Sequence, residues 1–151
     1  MKFPLPIKKR VGILNKKGVH LIVELHGCSP NFLANCSLIR KTMLEAAKLV
    51  SGNILSDDFV IVGPGISGTV VITESHLSIH TWPEDGYASV DIYTCSKEGD
   101  PIKALELIVN TLKPTKIYSL KIMRGLPSGF LLQKLAEKSQ DGILTFEVAQ
   151  V

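Results

Sequence analysis

Short runs in which every second side chain is apolar constrain the fold of this chain most. From Val19 to Leu25, the positions Val19, Leu21, Val23 and Leu25 are set against His20, Ile22 and Glu24. From Tyr87 to Cys95, Ala88, Val90, Ile92 and Thr94 fall on one side. From Thr115 to Met123, Ile117 and Met123 oppose Tyr118, Leu120 and Ile122. Successive strand side chains point to opposite faces, so a period of two predicts strands with one face buried.

Between these runs the pattern changes. From about Ser37 to Val50, the residues Ile39, Met43, Ala46, Ala47 and Val50 recur at three and four, an amphipathic helix with Gly52 just beyond its end. A shorter helical turn is expected where Ser29 precedes Pro30. Asp100 followed by Pro101 starts a second helix, with Leu105, Ile108 and Leu112 on one face and Pro114 stopping it. Ile54 to Val62 reads as a strand interrupted by Ser56-Asp57-Asp58, ahead of a Gly63-Pro64-Gly65 turn. Ser67 to Thr73 is the next strand, and Leu77 to Thr81 extends or restarts it before Pro83–Gly86 turns the chain. Ser128 to Lys138 reads as a short amphipathic helix and Ile143 to Val148 as a last strand. This order predicts an α+β fold: a two-layer sandwich, a largely antiparallel sheet with helices on one face. The other face needs cover, and a homodimer is one way to supply it.

At 151 residues the chain suits one domain. Residues 1–17 carry six basic and no acidic side chains, whereas the remaining 134 carry 11 basic and 14 acidic. Interrupted by Pro4, Pro6 and Gly12, this arm reads as a solvated, poorly ordered leader rather than a nucleic-acid-binding element. The working domain then spans 18–125, with 126–151 a C-terminal extension of unassigned role. No apolar run reaches the roughly 20 residues of a membrane span, and residues 1–17 lack the apolar core of a secretory signal. Cys28, Cys36 and Cys95 are odd in number and form no CxxC pair, so neither disulfides nor a zinc ribbon is expected. A reducing, cytoplasmic location fits.

Polar chemistry concentrates in Thr73-Glu74-Ser75-His76-Leu77-Ser78-Ile79-His80-Thr81-Trp82-Pro83-Glu84-Asp85-Gly86-Tyr87. Singly, its residues have ordinary readings: a serine bonded locally, a packed His80, a buried Cys95. Ser75 and His80 are five apart, so a straight strand sends them to opposite faces; a bulge or bend would be needed for them to cooperate. No Gly-x-Ser-x-Gly elbow, phosphate loop, dinucleotide fingerprint or metal-ligand cluster is present.

The run Ser67-Gly68-Thr69-Val70-Val71-Ile72-Thr73-Glu74-Ser75-His76-Leu77-Ser78-Ile79-His80-Thr81-Trp82-Pro83-Glu84, with Gly86-Tyr87-Ala88 and Asp91 to Cys95, closely resembles the bacterial and archaeal S-adenosylmethionine decarboxylases, a pyruvoyl-dependent family. The resemblance implies self-cleavage at Glu74–Ser75 into residues 1–74 and 75–151. The Ser75 hydroxyl attacks the Glu74 carbonyl, an ester replaces the amide, elimination leaves dehydroalanine, and hydrolysis leaves a covalent pyruvoyl group. That group forms a Schiff base with the substrate amine and acts as an electron sink. The resemblance assigns His80 to proton transfer and Ser67 to support of processing. It makes Cys95 the acid that reprotonates the substrate carbon and Glu84 the carboxylate that takes the ribose hydroxyls. The product, decarboxylated S-adenosylmethionine, serves polyamine (spermidine) synthesis.

The chain departs from the family pattern in two places. The aromatic residue expected six positions before Ser67 is here Ile61, with Phe59 serving only if the loop shifts. Gly-Arg-His appears as Gly18-Val19-His20. These departures leave two alternatives open: a paralogue decarboxylating arginine or ornithine, and a non-catalytic member that binds a partner. The complete set Ser67, Ser75, His80 and Cys95 argues against the second.

Overall fold

The structure, a computed structural model, describes residues 17–51, 53–127, 129–138 and 144–146. The chain runs β1 (Gly18–His26), α1 (Pro30–Leu33), α2 (Cys36–Val50), β2 (Ile54–Val62), β3 (Gly65–Ile72) and β4 (Ser75–Trp82). A 3-10 turn (Pro83–Asp85) leads to β5 (Tyr87–Thr94), α3 (Pro101–Leu112), β6 (Lys116–Leu126), β7 (Gly129–Lys138) and β8 (Leu144–Phe146). These strands form one sheet ordered β2-β3-β4-β5-β1-β6-β7-β8, antiparallel throughout. The expected α+β sandwich is therefore what forms. Among the described residues no helix is long and apolar enough to cross a membrane.

Alternation decides which face is covered. Leu21, Val23 and Leu25 of β1, Leu77 and Ile79 of β4, and Val90 and Ile92 of β5 are buried under the helices. They meet Ile39, Met43, Ala46, Ala47 and Val50 of α2 and Leu105, Ile108 and Leu112 of α3. Each such large side chain contributes about 1.5–3 kcal/mol on burial. Leu105→Ala, at the centre of α3, would cost about 2–5 kcal/mol.

The helix ends follow local chemistry. Asn35 caps α2, its side chain accepting from the Leu38 N–H at 3.0 Å. Asp100 caps α3, its Oδ1 accepting from the Ile102 and Lys103 N–H groups. Gly52 lies outside the described residues.

Three expectations change. Strand β2 is continuous through Ser56-Asp57-Asp58, because Asp57 faces α2 and accepts two hydrogen bonds from Arg40 at 3.0 and 2.8 Å. The segment Leu77–Thr81 does not extend β3. Ile72 pairs with Ser75 across a two-residue hairpin of Thr73 and Glu74, so β4 folds back. Finally, Gly129–Lys138 is not a helix but strand β7, paired along β6 from Ser119–Leu135 to Leu126–Gly129. Backbone pairing with an available sheet edge outweighs the modest helical preference of this segment. The described part of the expected last strand, Leu144–Phe146, pairs with β7.

Candidate active site

The hairpin places Glu74 and Ser75 at one end of β4. Ser75 has φ 154, and it and Lys113 are the only positive-φ non-glycine residues described. Such backbone costs about 1–3 kcal/mol and persists only where its surroundings enforce it. Four contacts hold the chain here. The Glu74 carbonyl oxygen accepts from the Cys95 backbone N–H at 3.2 Å and from the Cys95 thiol at 2.9 Å. The Glu74 carboxylate accepts a hydrogen bond from the buried Ser51 hydroxyl at the C-terminus of α2. Ser75 itself pairs with Thr94, the last residue of β5, which brings Cys95 alongside.

The loop after Cys95 is held by Ser96, whose Oγ accepts from the Glu98 and Gly99 N–H groups. A Cβ at Gly99 would lie 1.8 Å from the Val50 carbonyl oxygen, so only glycine lets this loop close against α2. A cavity of about 450 Å³ opens beside Cys95, lined by Lys17, Gly18, Thr94 and Lys97 among others.

Ser67 and His80 lie at the other end of β4. They are direct cross-strand partners, with His80 Nδ1 2.9 Å from Ser67 Oγ. Neither the β3–β4 nor the β4–β5 pairing shifts register, so the bulge needed to unite Ser75 with His80 is absent. Five residues of strand separate them by roughly 16 Å. Glu84 is exposed in the 3-10 turn just beyond, with no hydrogen bond or ion pair among the described residues. Ile61 pairs with Ile66 and is 71% exposed, whereas the Phe59 ring lies over Gly68 and packs against the core. The eight residues singled out by sequence thus divide into Glu74, Ser75 and Cys95 at one end and Ser67, His80, Glu84, Ile61 and Phe59 at the other.

The face of the sheet away from the helices joins these ends. On it, His20 Nε2 meets Asp91 Oδ1 at 2.8 Å, and the His20 and His76 rings both lie against Tyr93. The hydrogen bond from His20 holds the Asp91 carboxyl below the usual range, against a partial burial that raises it. Tyr87 donates to Glu24, and its phenol is pushed up to about 12, first by desolvation and then by that carboxylate. Around this polar centre, Val60, Val62, Val71, Trp82, Tyr118 and Leu120 are exposed.

The family model described as S-adenosylmethionine decarboxylase matches residues 19–125, which include both clusters. The chain belongs to this family. It is 44% identical over 110 residues to the S-adenosylmethionine decarboxylase proenzyme of Thermococcus onnurineus, covering 72% of this chain and 78% of that protein. To the proenzyme of the same name from Caldicellulosiruptor saccharolyticus it is also 44% identical, covering 72% and 89%. Its fold resembles the crystal structure of the adenosylmethionine decarboxylase from Aquifex aeolicus, with a TM-score of 0.68 and 30% identity over 74% of this chain and 93% of that one. Strands β7 and β8 lie beyond the family match.

Sequence reasoning misses two side chains that contact Glu74 and Ser75. Ser51 is 23 residues from Glu74, and no local pattern connects them. His76 follows Ser75 directly, and strand alternation would point the two to opposite faces. Its Nδ1 nevertheless lies 3.2 Å from Ser75 Oγ.

Proposed function

We propose that the chain cleaves itself between Glu74 and Ser75, turns Ser75 into a pyruvoyl group, and decarboxylates S-adenosylmethionine. The observation that carries this reading is the pair of donors from Cys95 on the Glu74 carbonyl oxygen, next to a serine held at φ 154. When the Ser75 hydroxyl adds to that carbonyl, negative charge grows on the oxygen that both donors already address. Breaking the C–N bond frees the Ser75 amine, relieves the backbone strain and leaves an ester. Removal of the Ser75 α-proton then breaks the Cβ–O bond, leaves Glu74 as a carboxylate chain end and leaves a dehydroalanine at position 75, which takes up water and loses ammonia to become the pyruvoyl group. The residues present fit a pyruvoyl group at position 75, since serine supplies both the attacking oxygen and the leaving group. Once formed, the group supplies the electron sink for the carbanion left by loss of CO₂.

Cys95 changes task after cleavage. Its thiol, released from the Glu74 carbonyl, returns a proton to the substrate carbon, a role supported by its position on the border of the cavity. A thiol in use as an acid needs a reducing compartment, which favours the cytoplasm.

His80, Ser67 and Glu84 act on a second copy of the chain. Within one chain, His80 and Ser67 are roughly 16 Å from Ser75 along an unbroken strand. The uncovered sheet face carries them among exposed Trp82, Val60 and Leu120, a surface suited to pairing two sheets. In such a homodimer each Ser75 would receive His80 and Ser67 from the opposite chain. Neither Phe59, packed against the core, nor Ile61, paired with the buried Ile66, offers a ring on the uncovered face, and lack of a stacking ring weakens base recognition by about 1–3 kcal/mol.

Denaturing mass spectrometry of the purified protein should find fragments 1–74 and 75–151, the second beginning with a pyruvoyl group. A chain that stays intact on long incubation would reject the reading. Release of CO₂ should require S-adenosylmethionine; release from arginine or ornithine instead would reverse the substrate assignment.

A further inference from the structure

Ser75 is the first residue of β4, and His76 follows it on the uncovered face together with Ser78, His80 and Trp82. In regular strand Ser75 would point beneath the sheet with Leu77 and Ile79. The positive φ at Ser75 breaks that alternation, and its hydroxyl comes within 3.2 Å of His76 Nδ1. We propose that His76 is the general base of the first self-cleavage step, taking the Ser75 hydroxyl proton on Nδ1 as Oγ attacks the Glu74 carbonyl. This inference rests on the self-processing reading above and adds to it the group that starts the reaction.

The neighbouring groups leave this task to His76. The Cys95 thiol is a donor to the Glu74 carbonyl oxygen, the atom that must become negative, and would lose that role by acting as a base. The Glu74 carboxylate is held by Ser51. His80 of the same chain is bonded to Ser67 at the far end of the strand, and the His80 that a second chain would bring to Ser75 is left for the later removal of the Ser75 α-proton. His76 is the hydrogen-bond partner of Ser75 Oγ among the described residues.

The step balances within these groups. The Oγ–H bond breaks, the Oγ–C bond to Glu74 forms, and the proton moves to His76 Nδ1. The carbonyl electron pair goes to the oxygen held by Cys95. On collapse, the C–N bond breaks and the nitrogen of Ser75 takes the proton back from His76, giving ester and amine. The imidazolium formed in between is compensated. Asp91 lies on the next strand, its carboxylate held by His20 and within electrostatic reach of His76. His76 is also paired with Val71 of β3 and lies against the Tyr93 ring of β5, which carries Arg124 of β6 on its surface at 4.4 Å.

The test follows the full-length chain after cell-free synthesis, with cleavage timed by denaturing mass spectrometry and hydroxylamine used to cut any ester at Glu74. His76→Ala should cleave about 100-fold or more slowly, in the range expected for a general base, with no hydroxylamine-sensitive ester accumulating. Free imidazole should accelerate this variant and leave the unaltered chain unchanged. His76→Gln, which keeps polarity and approximate size without basicity, should be as slow as His76→Ala, and it tests the proposal should the alanine variant fail to fold. Cleavage of either variant at the unaltered rate would overturn the inference, and so would accumulation of a hydroxylamine-sensitive ester, which would move His76 to the elimination step. If the unaltered chain itself does not cleave, the self-processing reading falls instead.

Discussion

The two ends of β4 differ in backbone, and through it in what their side chains can do. At the Ser75 end, a two-residue hairpin leaves a non-glycine residue at φ 154, with its preceding carbonyl gripped by Cys95 and its preceding carboxylate by Ser51. At the His80 end, the strand is regular, and His80 and Ser67 face each other as an ordinary cross-strand pair. Strain belongs where a bond must break; a proton carrier needs only a fixed position. The strand keeps these two groups of side chains apart in one chain, and the proposed pairing of two chains would combine them.

Ser75→Ala should produce the largest effect. With no hydroxyl the attack cannot begin, and mass spectrometry should show one intact chain indefinitely; any cleavage after Glu74 in this variant would break the assignment of that end. His80→Ala should slow cleavage by about 100-fold, the scale of lost proton transfer. Mixing it with the Ser75→Ala chain should restore cleavage of the His80→Ala chain, because the mixed dimer joins one intact end from each. No restoration would place His80 in the service of its own chain and remove the contrast. Cys95→Ala should still cleave, about tenfold more slowly, because the backbone N–H remains on the Glu74 carbonyl. The same variant should decarboxylate far more slowly or reprotonate wrongly, and full turnover would remove Cys95 from the second reaction.

The smallest effect concerns the polar centre between the ends. The Asp91 carboxyl is held below its ordinary value, so its contribution to stability is present above about pH 4 and is lost as the pH falls through the depressed value. Asp91 is partly exposed, so the effect is small. Thermal melts of Asp91→Asn against the unaltered chain should differ near neutral pH and converge in strong acid; a gap that widens in acid would contradict the depressed carboxyl.

Much of the covered layer is legible in the sequence. The alternation of Val19–Leu25 and Tyr87–Thr94 is local and survives in β1 and β5, and Asp100-Pro101 starts α3 as its chemistry requires. The segment Gly129–Lys138 reads wrongly as helix because its partner, β6, is chosen by tertiary pairing rather than by its own residues. Family resemblance locates Glu74–Ser75, while composition and periodicity do no more than place it near strands.

By itself, then, the sequence determined most of the strands with one buried face and the two long helices, since side-chain type and spacing are local properties, and it carried the family resemblance around Glu74–Ser75. Tertiary structure alone decided that Glu74 sits in a hairpin, that Cys95 and Ser51 hold its two ends, and that His76 rather than His80 is beside Ser75. Those contacts join residues up to 23 apart through strand register and a positive φ, and neither is written in a two-residue pattern.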